Sequence, residues 1–391
     1  MPSHLSDSTP FWATLLAPFT LLTALASWAA ADGPNPVAPL QKFVENHTLA
    51  GAVGLVATKD QVLAVDAVGF ADIAQQTPMR TDCLFWIASQ SKSMTATALM
   101  MLVDEGKVHV EDPVEKYLPE FQGQQWIAEQ TDDRTVLKRP SRPITIHDIL
   151  SHTSGLPFMS RVEHKIDQLS LHEASISYAL TPLRTEPGSK YDYSNAGLNT
   201  AGRIIEVVSG MPYETFLQKR LFDPLGMHDT TFWPTAEQIK RIAKSYKPNA
   251  AQDGLEEIQI DQLTYPLSDR RRGPSPAGGL FSTAADVARF CQMVLNHGSL
   301  AGHRYLSPEA VQQMTSKQTR DLSSSYGFGW QTSADPHGSF GHGGAYSTHM
   351  EIDPAHGLIT VFLVQHAGYP GPNGKLVYPT FIEATKQFIA K

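Results

Sequence analysis

Hydrophobic and polar positions divide the chain into two strand-like ends and a punctuated, helix-rich middle. From Gly51 to Asp72, "GAVGLVATKDQVLAVDAVGFAD", Val, Ala and Gly recur with partial alternation on either side of Lys59-Asp60, which predicts two strands joined by a turn. Cys83 to Ala88 is a short apolar run, either a buried strand or the lead-in to a helix. Met94 to Glu105 then repeats Ala, Leu and Met at helical spacing, and Gly106 follows as a stop.

From about Asp112 to Leu280 the texture changes, with Pro, Gly and charged residues breaking up short helical stretches. Residues 146–151, 195–208 and 212–221 read as helices, with Gly210 and Asp223-Pro224 as stops. "STAADVARFCQMVLNHG" predicts a helix opened by Thr283, with Asp286 three residues on, and closed by Gly298. "GSFGHGGAYSTHMEIDPAHGLITVFLVQHAG" returns to strand patterning, and a last helix is expected from Phe381 to Ala390. Strands at both ends with helices between predict an α+β fold: one lobe built from both termini, with a mainly helical lobe inserted over about residues 112–280.

Ahead of this body, Phe11 to Leu25 is mostly apolar and ends in Ala29-Ala30-Ala31. That is the pattern of a signal peptide over residues 1–31, leaving an exported, periplasmic or secreted domain over 32–391 with no membrane span. No Lys or Arg precedes the apolar run, so a retained anchor is the rival reading. Of the 391 residues 41% are hydrophobic and 18% charged, enough to build a large core and too apolar for general disorder. The net charge is −8, and the densest basic cluster, Arg270-Arg271-Arg272, is too short to track a nucleic-acid backbone. The two cysteines, Cys83 and Cys291, have apolar neighbours and no metal-ligand spacing, which favours buried thiols and leaves a disulfide open in an exported chain.

The chemistry starts at Ser89-Gln90-Ser91-Lys92. A serine hydroxyl needs a base to become a nucleophile. Residues i and i+3 share a helix face, so Ser89 and Lys92 can meet, and burial would lower the lysine's pKa. A serine at a helix start also meets unpaired N–H groups that favour a developing oxyanion. By itself S-x-x-K equally describes an N-cap serine with a solvated lysine. A second piece, Tyr193-Ser194-Asn195, leads into a predicted helix. Tyr193 beside a cationic lysine would lose its proton more easily and serve as base for Ser89 and acid for the leaving group, while Asn195 holds Lys92 or a substrate carbonyl. Read alone, these residues describe a buried tyrosine and an asparagine cap. The third piece is "GHGGAYSTHM": glycines on a strand mark a close approach, and Ala345 can offer an N–H beside that of Ser89.

Ser89-x-x-Lys92, Tyr193-Ser194-Asn195 and His342-Gly343-Gly344, in this order, resemble the three motifs of serine β-lactamases and penicillin-binding proteins. The tyrosine form of the second motif is similar to class C β-lactamases, the D-alanyl-D-alanine carboxypeptidases of that branch and family VIII carboxylesterases. The linking segments "EDPVEKYLPEF", "ITIHDILSHTSGLP", "LFDPLGMHDTTF" and "PAGGLFSTAADVARF" extend the likeness over about residues 36–390. The resemblance implies a β-lactamase/transpeptidase-like fold with an antiparallel sheet flanked by helices. It also implies an acyl-enzyme on Ser89 with Lys92 and Tyr193 as proton-transfer partners. Asn195, His342, Gly343, Gly344 and the Ala345 N–H are implied as substrate contacts, and no metal or organic cofactor is implied.

One motif departs from the pattern. Where penicillin-recognising members usually carry Lys-Thr-Gly or Lys-Ser-Gly, this chain has His342-Gly343-Gly344. A partly charged histidine and a glycine are poorer partners for a substrate carboxylate, which leans the reading toward a small-molecule ester, amide or peptide hydrolysed without one. β-Lactam or D-alanyl-D-alanine hydrolysis stays open, as does a non-turnover, penicillin-binding or sensor-type domain. Arg272 is the candidate to restore the missing carboxylate contact, against a solvated basic turn. Tyr346 is a candidate lining residue of the acyl pocket, and His152 and His366 read as structural.

Overall fold

The computed structural model describes Met1 and residues 34–335 and 338–389; the expected signal peptide lies outside these apart from Met1. A seven-stranded antiparallel sheet combines both ends of the chain. Its strands, numbered in chain order, are β1 (Gly51–Thr58), β2 (Val62–Asp72), β3 (Thr77–Pro78), β4 (Gln331–Thr332), β5 (Phe340–Gly343), β6 (His349–Asp353) and β7 (Leu358–Leu363). Their spatial order is β4-β5-β6-β7-β1-β2-β3. The turn expected at Lys59-Asp60 does join β1 to β2, and the N-terminal hairpin meets the C-terminal meander along β1–β7, where Val53 faces Leu363 and Leu55 faces Val361.

β1 alternates only partly because both its faces are covered. Val53, Leu55 and Ala57 join the main core with Val287 and Phe290, while Ala52 joins Phe362, Val377 and Phe381 on the opposite face. Gly54 is required there: a Cβ would lie 2.4 Å from a Val37 methyl and 2.6 Å from the Phe381 ring.

The helices that matter for the site are α1 (Ser91–Asp104), α2 (Ile146–Leu150), α3 (Leu171–Ala179), α4 (Asn195–Ser209), α5 (Ala284–Leu295) and α6 (Val377–Thr385). α5 begins as expected, the Thr283 hydroxyl accepting the Asp286 N–H at 3.3 Å. The last helix starts four residues earlier than the pattern suggested, because Val377 and Phe381, one turn apart, are both buried against the sheet. Residues 212–221 do not form one α-helix: Tyr213–Leu217 is helical and continues as a π-turn over Gln218–Phe222. The middle of the chain also holds two short hairpins, Trp126–Gln130 with Thr135–Lys138 and Ser245–Pro248 with Leu255–Ile258. Cys83 and Cys291 are both buried free thiols. Among the described residues no helix is long and apolar enough to cross a membrane.

α1 is the central helix, with every residue from Ser91 to Leu102 buried. It packs against α4, and the turn before it packs beside β5. These two neighbours bring the second and third motifs to Ser89.

Candidate active site

Phe85–Trp86 forms a two-residue strand paired with Phe281–Ser282, outside the main sheet. The chain then turns through Ala88–Gln90 as a 3-10 turn before α1 begins at Ser91. Ser89 therefore sits in the turn ahead of the helix and is not its N-cap. Ala88 adopts a left-handed φ of 47°, a conformation costly for a residue with a Cβ and concentrated at functional turns. Ser91 braces the turn by donating to the Ala88 carbonyl at 2.6 Å. Ser89 stays half-exposed while its neighbours from Cys83 to Ala88 and from Gln90 to Leu102 are buried.

Lys92 follows on the same face and is completely buried. Its Nζ lies 3.0 Å from Ser89 Oγ, 2.8 Å from Asn195 Oδ1 and 2.7 Å from the Ala277 carbonyl. Desolvation holds its pKa well below the usual lysine range. Desolvation favours the neutral amine, in which two N–H groups donate to Asn195 and Ala277 and the lone pair faces the serine hydroxyl.

Ser194 caps α4, its hydroxyl accepting the Gly197 N–H at 3.1 Å and donating to the Pro157 carbonyl at 2.7 Å. The helix thus opens on Asn195, aimed at Lys92. The Tyr193 ring lies beside the lysine, with Nζ 4.7 Å from its centroid. Burial pushes the Tyr193 pKa up, an effect opposed by the Ser89 hydroxyl. The phenol therefore keeps its proton, contrary to the expectation that the lysine would draw it off; the group with the depressed proton affinity is Lys92 itself.

β5 approaches the turn at Gly344, where a Cβ would lie 2.1 Å from Thr348 Oγ1 and 2.6 Å from the Ile87 carbonyl, so only glycine fits without movement. The ladder ends at Gly343–His349, and Ala345 lies exposed in the turn beyond it, not on the strand edge as expected. His342 is buried. Its Nδ1 donates to the Gly343 carbonyl at 2.7 Å, so Nε2 accepts from the Tyr326 hydroxyl at 3.0 Å. Desolvation pushes its pKa down to about 3, which makes it neutral rather than partly charged near neutral pH.

Arg272 does not reach the cleft as a free cation. It is buried, pairs through Nε with Asp167 at 2.6 Å, and donates to the carbonyls of Phe232 and Leu267. Tyr346 is packed edge-on against Trp86 at 5.1 Å and donates to Asp261 at 3.3 Å; it belongs to a buried cluster rather than an open pocket wall. His366 accepts the Ala50 N–H at 3.1 Å, a structural contact.

His152 sits closer to the site than its sequence context suggested. Its carbonyl accepts the Asp192 N–H at 2.8 Å, its Nδ1 accepts the Ser194 N–H at 3.1 Å, and its ring lies 4.4 Å from that of Tyr193. The backbone on both sides of Tyr193 is therefore anchored to this one residue. Tyr326 and the Ala277 carbonyl were not singled out from sequence. The former had a signal in "YGFGW": Gly329, at φ 73°, packs its backbone so close to Lys92 that a Cβ would lie 2.6 Å from the Lys92 carbonyl.

The β-lactamase family model matches residues 38–378. The chain belongs to the β-lactamase family. An uncharacterized protein of Mycobacterium tuberculosis is 32% identical over 363 residues, covering 84% of this chain and 89% of that one. A protein of Escherichia coli, provisionally named a D-alanyl-D-alanine carboxypeptidase, is 29% identical, covering 89% and 86% respectively. Among solved structures, EstCE1, a hydrolase with promiscuous acyltransferase activity, matches with a TM-score of 0.74 at 23% identity over 89% of this chain and 97% of that one. Unliganded simvastatin synthase from Aspergillus terreus matches with a TM-score of 0.74 at 20% identity over 90% and 99%. At these identities the structural matches establish the fold alone. It is the β-lactamase/transpeptidase-like fold, and the family is one of serine hydrolases.

Proposed function

We propose that this β-lactamase-family member is an exported serine hydrolase that cleaves an uncharged ester or amide through an acyl-enzyme on Ser89. The observation that carries the reading is the buried Lys92 amine, 3.0 Å from Ser89 Oγ with its other two contacts on fixed acceptors. Neutral Lys92 takes the serine proton as Oγ adds to the carbonyl carbon. The N–H groups of Ser89 and Ala345 receive the oxyanion. As the tetrahedral species collapses, the Tyr193 phenol gives its proton to the leaving oxygen or nitrogen and regains one from Lys92. Water then attacks the acyl carbon, its proton leaving by the same groups, and the acid is released with Ser89 restored. The preference for uncharged substrates rests on two side chains that cannot bind a carboxylate: His342 is neutral and Arg272 is consumed by Asp167. Export rests on the N-terminal sequence pattern.

The Escherichia coli relative supports a second reading, hydrolysis of D-alanyl-D-alanine peptides or β-lactams by the same residues. Turnover of p-nitrophenyl butyrate, nitrocefin and a D-alanyl-D-alanine peptide should be compared for the wild type and Ser89→Ala. Ester turnover lost in the variant, with little nitrocefin turnover, is expected. Ester turnover that survives Ser89→Ala would overturn the mechanism, and preferred hydrolysis of the anionic substrates would favour the second reading.

A further inference from the structure

What fixes Lys92 extends well beyond the three motifs. The Ala277 carbonyl accepts from Lys92 at 2.7 Å, and the Ala277 N–H donates to Asn199 Oδ1 at 3.1 Å. Asn199 Nδ2 donates to the Tyr178 hydroxyl at 2.9 Å, and Tyr178 donates to Glu163 Oε1 at 2.5 Å. Every donor points away from the lysine and toward the carboxylate, and every member of the chain is buried. The Pro276 carbonyl, on the same peptide as the Ala277 N–H, accepts from Thr95 Oγ1 at 2.7 Å, so this peptide is pinned from both sides.

Glu163 is held at its other oxygen by the Ser160 N–H at 2.7 Å. No Lys or Arg among the described residues forms an ion pair with it. A buried carboxylate without a contacting cation is costly, and burial indeed pushes its pKa up. The hydrogen-bonded chain that starts at this carboxylate ends at Lys92. The same loop serves the other acceptor of Lys92: the Phe158 carbonyl receives the N–H groups of Asn195 and Ala196 at 3.1 and 3.3 Å. The groups facing Lys92 from other elements are Ser89, Asn195, Tyr193, His152 and His342. None of them is an anion, since burial keeps the phenol protonated, and burial also leaves both histidines uncharged.

We propose that Glu163 is a positioning residue for Lys92, acting through Tyr178, Asn199 and the anchored Ala277 N–H. It holds Ala277, whose carbonyl on the following peptide aims Nζ at Ser89, and its negative charge favours the lysine once it has taken the serine proton. The inference rests on the proposed nucleophilic role of Ser89.

The test is the rate of Ser89 labelling by a fluorophosphonate probe as a function of pH, followed by intact mass, so that no substrate need be known. Wild type, Ser89→Ala, Glu163→Gln and Tyr178→Phe are compared, with thermal melts of each. Both chain variants are expected to label with a plateau rate about 10-fold lower, because a small misplacement of a reacting group is expensive. In Glu163→Gln the acid limb should also move to lower pH, since losing the distant negative charge favours neutral Lys92. Plateau and limb within twofold of wild type in both variants would overturn the inference, as would lowered melting temperatures with unchanged labelling. Glu163→Gln is close to isosteric and decides alone if Tyr178→Phe does not fold. A wild type that fails to label on Ser89, or a Ser89→Ala protein that labels equally, would instead sink the proposed function itself.

Discussion

The two sides of Ser89 are built on opposite principles. On the helical side, Lys92, Asn195 and the Ala277 carbonyl form a dry polar cluster in which each contact of the amine is matched. On the sheet side, β5 offers shape: Gly344 pressed against the Ile87 carbonyl, and a histidine tied to Tyr326 and its neighbouring carbonyl with no charge to offer. In the proposed function the first arrangement supplies bond-making chemistry, which needs positioned donors and acceptors. In that same proposal the second selects by fit and by what it lacks, since an uncharged edge leaves a substrate carboxylate without a partner.

The comparison breaks most sharply at Lys92. Lys92→Met should lower kcat about 10³-fold, as expected for loss of a positioned base, with KM little changed. Retained turnover would move the base function to Tyr193. Next in size is a stability effect. Arg272→Ala should leave Asp167 buried without its cation and cost about 3–5 kcal/mol in denaturant unfolding. The activity per folded molecule toward anionic and neutral esters should then fall alike. A selective loss on the anionic ester would return Arg272 to the substrate site.

On the sheet side, Gly344→Ala should lower kcat about 100-fold, because the new methyl displaces either Thr348 or the turn that carries Ser89. An unchanged kcat would show that the turn can give way. The smallest change expected from a single substitution concerns the pH dependence of stability. His342 and His366 have pKa values lowered to about 3, and His349 to about 4, all chiefly by burial. Unfolded, these histidines bind protons below about pH 6.5, and folded they do not until near pH 3–4. Stability should therefore fall as pH drops from 6.5 toward 4, by up to about 1.4 kcal/mol per pH unit for each group. His342→Gln should flatten that slope by one proton, and an equal slope in the variant would show that His342 is protonated in the folded state.

Much of this was legible in the chain. The hairpin around Lys59-Asp60, the helix capped by Thr283 and the order of the three motifs all rest on local signals: turn chemistry, capping and spacing. The last helix was placed late because its first turn, with Pro379 inside, reads poorly by propensity and is fixed instead by burial of Val377. The charge of His342 was misjudged for a related reason: a histidine's charge state depends on how much water reaches it, which no single residue encodes. Arg272 read as a basic turn residue or a substrate contact until Asp167, far away in sequence, proved to be its partner.

By itself, then, the sequence determined the family, the strand-helix-strand organisation and the residue types available for acyl transfer, because these depend on short-range pattern and on chemistry each side chain carries alone. Tertiary structure decided which of those side chains are dry, which are paired, and which face Ser89. It joined Glu163 to Lys92 through three intervening residues and took Arg272 out of the cleft. Proton affinity and the proposed substrate charge preference rest on those placements, since both depend on the distance to water and to partners that only the packed chain brings together.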